Sequence, residues 1–115
     1  MAALDLRAAR EFAGFGGVML FVLMCLDKPA SLDLRLATRE QHLAYLETYR
    51  SMLVRVGPLL DPDQRPIGSL LIIDVEDQAA AAGFAESDPY GRAGLFESVM
   101  IRPFREVYRD GERVI

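Results

Sequence analysis

The chain is short of the residues that most often do chemistry or hold metals. It has one histidine, one cysteine, no tryptophan and a single lysine, Lys28. A lone cysteine, Cys25, excludes a disulfide within the chain and suits a reducing cytosol, so a cytoplasmic setting is expected. A structural zinc site normally takes four nitrogen or sulfur ligands, and one His with one Cys leaves too few; no metal is expected. There is no run of basic residues and the net charge is −4, which argues against a nucleic-acid partner. The longest apolar stretch, Ala13 to Leu26, is 14 residues, short of the roughly 20 that span a bilayer. Acidic Asp5 and Glu11 precede it and no A-x-A site follows, so neither a signal peptide nor a membrane partner is expected. No G-x-S-x-G surrounds any serine, and "DPDQRP" lacks the carboxylate spacing of a calcium loop. "GFGG" precedes a strand where a phosphate loop would follow one, and no cofactor motif appears.

What is present is a small core. At 115 residues, half of them hydrophobic, the chain fits one domain. Residues 1–18 read as an N-terminal extension, with Leu4, Ala8, Phe12 and Phe15 at the spacing of a short amphipathic helix. The domain proper is expected over 19–108, with 109–115 as a tail that adds a short edge strand or trails off.

Regular patterning starts at Val18. "VMLFVLMCL" is a continuous apolar run fit for a central strand buried on both faces, with Cys25 a small buried hydrophobe inside it. "SLDLRLATREQHLAYLETYRSML" repeats its apolar residues at helical spacing without Gly or Pro, and Ser31 or Asp33 is placed to cap it. "LVRVGPLL" reads as a short strand closed by Gly57-Pro58, followed by a turn-rich loop. "GSLLIIDV" is a third strand, "EDQAAAAGFAESD" an alanine-rich helix weakened at Gly83, "PYGRAGLF" a loop, and "ESVMIRPF" an alternating strand. The order βαββαβ predicts an α+β, ferredoxin-like antiparallel sheet with two helices on one face. The other, apolar face would be exposed in a monomer, so a homodimer packed sheet against sheet is expected.

The helix places the histidine. At 100° per residue with His42 at zero, Arg35 falls near about 20°, Leu46 about 40°, Arg39 about 60° and Leu43 about 100°, while Tyr49 and Tyr45 fall near about −20° and −60°. The apolar stripe centres at roughly 70°, with His42 on its edge. A base of this type needs a partner to fix its tautomer, usually a carboxylate. Asp88 is the best candidate, although an Asp before a Pro is also ordinary turn and capping chemistry. Asp74, Glu76 and Asp77 read instead as a solvated helix entry with capping roles.

The stretch from Met19 to Val107 resembles the YciI-like, or YCII-related, family of small bacterial proteins. The resemblance rests on "DKPASLDLRLATREQHLAYL", "GPLL", "ESDPYGRAGLFESV" and "IRPF", and above all on R-x-x-x-R-x-x-H with a later D-P-Y and R-P-F. It implies a dimeric α+β barrel of ferredoxin-like subunits and an active-site His/Asp pair, which falls here on His42 and Asp88. It also implies cofactor-independent lyase, isomerase or dehydrochlorinase-type chemistry on a small ring compound. In that scheme His42 moves the proton while Asp88 holds its other ring nitrogen. Arg35 or Arg39 attracts an anionic substrate, and Tyr45, Tyr49 or Tyr90 donates to its oxygens. The alternative is a non-catalytic dimeric module that binds a small ligand or docks a protein, since both kinds of pocket share apolar walls and a few polar groups.

Overall fold

A computed structural model of the chain describes residues 19–115. The extension expected over 1–18, with its short helix, lies outside the described residues. The apolar run becomes β1 (Leu20–Asp27) and the long periodic segment becomes α1 (Leu32–Thr48), which a 3-10 turn at Arg50–Met52 joins to β2 (Leu53–Leu60). Then follow β3 (Pro66–Asp74), α2 (Gln78–Ser87), a one-turn α3 (Pro89–Arg92) and β4 (Phe96–Phe104). The four strands pair antiparallel in the order β2-β3-β1-β4, which is the ferredoxin-like topology.

The core follows from strand period and register. Phe21, Leu23 and Cys25 of β1 point to one side, and Leu71 and Ile73 of β3 stand on the same side. Leu46 of α1 and Ala81, Phe84 and Ala85 of α2 close over them. Ser31 sits at the N-cap of α1 but its hydroxyl donates to the Pro29 carbonyl, so it does not cap. Asp77 does cap α2, accepting from the Ala80 amide at 2.8 Å.

Three expectations change. β1 is continuously buried on the helix side alone: on the other side Leu20 is buried, but Val22 and Met24 are half-buried and Leu26 is exposed. With Leu70 and Ile72 of β3 and Met100 of β4, which is 41 % exposed, they make the opposite face largely apolar. Secondly, Gly57-Pro58 does not close β2, which runs on to Leu60 with register shifts at Leu53/Arg55 and Leu59/Leu60. β2 lies at the sheet edge, where a proline removes no central ladder bond. Thirdly, the tail folds on itself: β5 (Tyr108–Arg109) and β6 (Glu112–Arg113) pair across Asp110-Gly111, both at positive φ, as a two-residue hairpin.

Two glycines make opposite predictions. A Cβ on Gly83, exposed in α2, meets nothing within 4 Å, so Gly83→Ala should stabilise by about 0.5–1 kcal/mol. A Cβ on Gly68 of β3 would lie 2.5 Å from the Cys25 carbonyl oxygen, so Gly68→Ala should cost about 1–3 kcal/mol as the central strands are forced apart. Urea unfolding of both variants against the parent checks the signs.

Candidate active site

α1 does not bury the stripe that its leucines mark. Its buried residues are Arg35, Thr38, His42 and Leu46, a face centred on His42 itself. Leu36 is 55 % exposed and Leu43 is also exposed. The leucines on that side line a cleft of about 380 Å³ rather than the core. Across the cleft stand Val56, Gly57 and Pro58 of β2 and Pro66 and Ser69 of β3, with Tyr90 of α3 at its base beside His42. Polar and apolar residues thus share one helical face because that face looks partly onto the sheet and partly into the cleft.

His42 and Asp88, 46 residues apart, meet directly. Nδ1 lies 2.9 Å from Oδ1 and 3.0 Å from Oδ2 of Asp88, and both side chains are buried. A carboxylate can only accept, so Nδ1 carries the proton and Nε2 is the acceptor in the neutral ring. No described residue bonds to Nε2, and His42 lines the cleft. Asp88 does its turn chemistry at the same time: Oδ1 accepts from the Tyr90 amide at 2.9 Å, capping α3, with Pro89 in its first position. The expected loop at "PYGR" is therefore one helical turn, and it is what aims the carboxylate.

The two arginines have different fates. Arg35, only 4 % exposed, donates from Nε to Asp27 Oδ2 at 2.7 Å and from Nη2 to Oδ1 at 3.2 Å. Nη2 also donates to the Ser69 hydroxyl at 2.7 Å. Arg39 is exposed at the cleft and, among the described residues, forms no ion pair. The cation available to a ligand is Arg39, because Asp27 already neutralises Arg35. Asp27 and Ser69 were not singled out from the sequence. The signal lay in Ser69 alternating with Leu71 and Ile73, which puts a hydroxyl on the buried side of a strand.

The tyrosines separate as well. Tyr90 stacks on His42 with ring centroids 4.0 Å apart and planes 18° from parallel, and the Arg35 guanidinium lies 4.5 Å from its centroid. Burial pushes the Tyr90 phenol up, against the pull of Arg35 and Arg39, so it stays a neutral donor. Tyr45 and Tyr49 do not line the cleft. They sit on the other flank of α1 against Phe84 of α2, where the Tyr45 hydroxyl donates to the Phe84 carbonyl at 2.8 Å. Burial, with Tyr49 and Asp88 adding to it, raises the Tyr45 phenol to about 12. Their negative angles on the helix, opposite in sense to Leu43 and Leu36, account for this placement. Among the described residues, no three His, Cys, Asp or Glu side chains gather as a metal would require, and no helix is long and apolar enough to cross a membrane.

Two measurements test this electrostatic arrangement. Asp27→Ala leaves a buried guanidinium without its counter-charge and should cost about 3–5 kcal/mol in urea unfolding. Burial, reinforced by Asp88 and Asp27, pushes the Cys25 thiol up to about 12. It is therefore protonated throughout the working range, so a disulfide reagent at pH 8 should label Cys25 only after unfolding.

Residues 19–105 match the model of the YCII-related domain. Protein YciI of Escherichia coli is 36 % identical over 98 residues, covering 78 % of this chain and all of that protein. An uncharacterised protein of Haemophilus influenzae is 37 % identical over 99 residues, again covering 78 % of this chain and all of its own length. Among solved structures, a 5-chloro-2-hydroxyhydroquinone dehydrochlorinase from Burkholderia phenoliruptrix, in complex with 2,5-dihydroxybenzoquinone, superposes with a TM-score of 0.71. It is 34 % identical, and the match covers 76 % of this chain and 94 % of that one. A dimeric protein of unknown function with a ferredoxin-like fold, from Bacteroides fragilis, has a TM-score of 0.50 at 14 % identity. That match covers 80 % of this chain and 99 % of that one, and it speaks to the fold alone. With a match across this length of sequence, the chain belongs to the YCII-related domain family.

Proposed function

We propose that the protein is a cofactor-independent enzyme that moves protons on a small, anionic cyclic substrate, with His42 and Asp88 as its catalytic pair. The observation that carries this reading is the bond from His42 Nδ1 to a buried carboxylate, with Nε2 unbonded among the described residues on a side chain that lines the cleft. Asp88 holds the ring in one tautomer and stabilises the imidazolium once a proton is taken. Arg39 draws in the anion and takes the charge that develops on an enolate or phenolate oxygen. The apolar walls from Leu36, Leu43, Val56 and Pro58 suit the body of a ring.

Elimination of hydrogen chloride fits this equipment, and the likeness to the dehydrochlorinase supports that class. Nε2 accepts a proton from substrate, the freed electron pair forms the new double bond, and chloride departs with the electrons of its own bond to carbon. The proton then passes to solvent. No oxidant or reductant enters the balance. Isomerisation uses the same first step, with the proton returned at another atom.

A thermal-shift panel of small cyclic carboxylates, hydroquinones and chlorinated hydroquinones, run on the wild type and His42→Ala, tests the reading. The expected result is a compound that raises Tm in both proteins and is converted by the wild type alone, the variant losing on the order of 10²- to 10⁴-fold in kcat. Arg39→Gln should raise KM with a smaller change in kcat, since it removes an attraction present before the chemistry. A compound bound equally well and converted by neither would instead make the protein a binding module.

The cleft is proposed to work within a homodimer. The apolar sheet face of Val22, Met24, Leu70, Ile72 and Met100 is of the kind that pairs by a two-fold axis, and the reading keeps the protein in the cytoplasm, with neither nucleic acid nor membrane as partner. Light scattering after size exclusion should give twice the mass of the chain. A monomer that persists at high concentration would remove the sheet-to-sheet pairing.

A further inference from the structure

Tyr90 is in contact with both members of the pair, and by different groups. Its backbone amide donates to Asp88 Oδ1 at 2.9 Å, while its ring lies 4.0 Å from the His42 ring and nearly parallel to it. The same ring is stacked by Arg35, two turns away from His42 on α1. Arg35 is itself held on the sheet by two bonds to Asp27 and one to Ser69, so it presents a fixed platform rather than a mobile side chain. Tyr90 is 2 % exposed and Arg35 hardly more, so neither has room to turn away. A bond from Nδ1 fixes which nitrogen carries the proton, but a single bond leaves the ring free to rotate about it. Something else has to hold the plane that aims Nε2.

We propose that Tyr90 is the positioning residue of the His42–Asp88 pair, clamping the imidazole plane through its ring while Arg35, locked by Asp27 and Ser69, backs that ring. The proposal rests on the catalytic reading of the pair and assigns Arg35 to positioning, with Arg39 left to meet the substrate. It separates the two functions of Tyr90: the amide sets the carboxylate whatever the side chain, and the aromatic face sets the imidazole. The phenol oxygen also attracts Arg35, but it is the stacked face that meets the imidazole, so phenylalanine should replace tyrosine here and an aliphatic residue should not.

Because His42 is the only histidine, its resonances in untagged protein are assigned without ambiguity. Nitrogen-15 labelling of histidine reads the tautomer, and the Cε1 proton reads the ring current of a stacked neighbour. In the wild type the neutral ring should be the Nδ1–H tautomer, with the Cε1 proton displaced upfield. Tyr90→Phe should keep both signatures. Tyr90→Leu should lose the upfield displacement and move the tautomer signal toward that of a freely rotating imidazole, and Asp27→Asn should do the same to a smaller degree by releasing Arg35. Wild-type spectra in both Tyr90→Leu and Asp27→Asn, with an altered one in Asp88→Asn, would overturn the clamp and leave the pair standing. An unaltered spectrum in Asp88→Asn would overturn the pair itself and the clamp with it. Should Tyr90→Leu fail to fold, Asp27→Asn decides alone, and an unchanged His42 spectrum there overturns the proposal.

Discussion

The Arg35 guanidinium is almost wholly withdrawn from water, and a desolvated cation is tolerable only with a carboxylate at hydrogen-bond distance and its other donors occupied. Asp27 supplies the charge and Ser69 a further acceptor, one from the end of β1 and one from β3. The pair therefore ties the first turns of α1 to the middle of the sheet. A register shift falls between Leu26 and Asp27, at the end of β1, and the Asp27 carboxylate is buried there with the guanidinium. With the helix pinned there, His42 two turns later is carried to a fixed height above β3, within reach of Asp88.

Asp88 shows how a helix cap and a bond to an imidazole coexist on one side chain. A carboxylate has two oxygens and roughly four acceptor sites, and here they divide between the Tyr90 amide and His42. The cap is what makes the second role possible. Pro89 starts α3 at a preset φ, the turn holds the Tyr90 amide toward Oδ1, and the remaining lone pairs face α1. An aspartate on a mobile loop would lose entropy to reach the imidazole. One fixed by its own helix cap does not.

Much of the fold was legible because strand and helix periods were clean. The apolar run in "GSLLIID", the alternation in "ESVMIRPF" and the unbroken helical spacing from Leu32 to Thr48 left few topologies open. The tail hairpin is also written in the sequence, since Asp110-Gly111 is the residue pair that a turn with two positive φ values prefers; the expected edge strand pairs with the tail itself instead of the sheet. The direction of the His42 face was partly misjudged for a physical reason. A moment computed from leucines assumes that apolar residues point to the core, yet Leu36 and Leu43 wall a solvent-open cleft and the buried face holds Arg35, Thr38 and His42. Periodicity could not tell Arg35 from Arg39 either. Which of the two is neutralised depends on Asp27, eight residues before Arg35 and across a turn.

That difference between two arginines one turn apart gives the cleft its polarity. A cation paired at 2.7 Å with a buried carboxylate contributes little net field at the cleft, whereas Arg39, which forms no ion pair among the described residues, keeps its charge available there. The positive end of the cleft is thus at Arg39, on the turn of α1 next to His42. On the function proposed above, a substrate anion drawn there would present the atoms beside its charge to Nε2. On that reading, proton removal next to the anion would create an imidazolium balanced by Asp88, so charge is moved within the site rather than added to it.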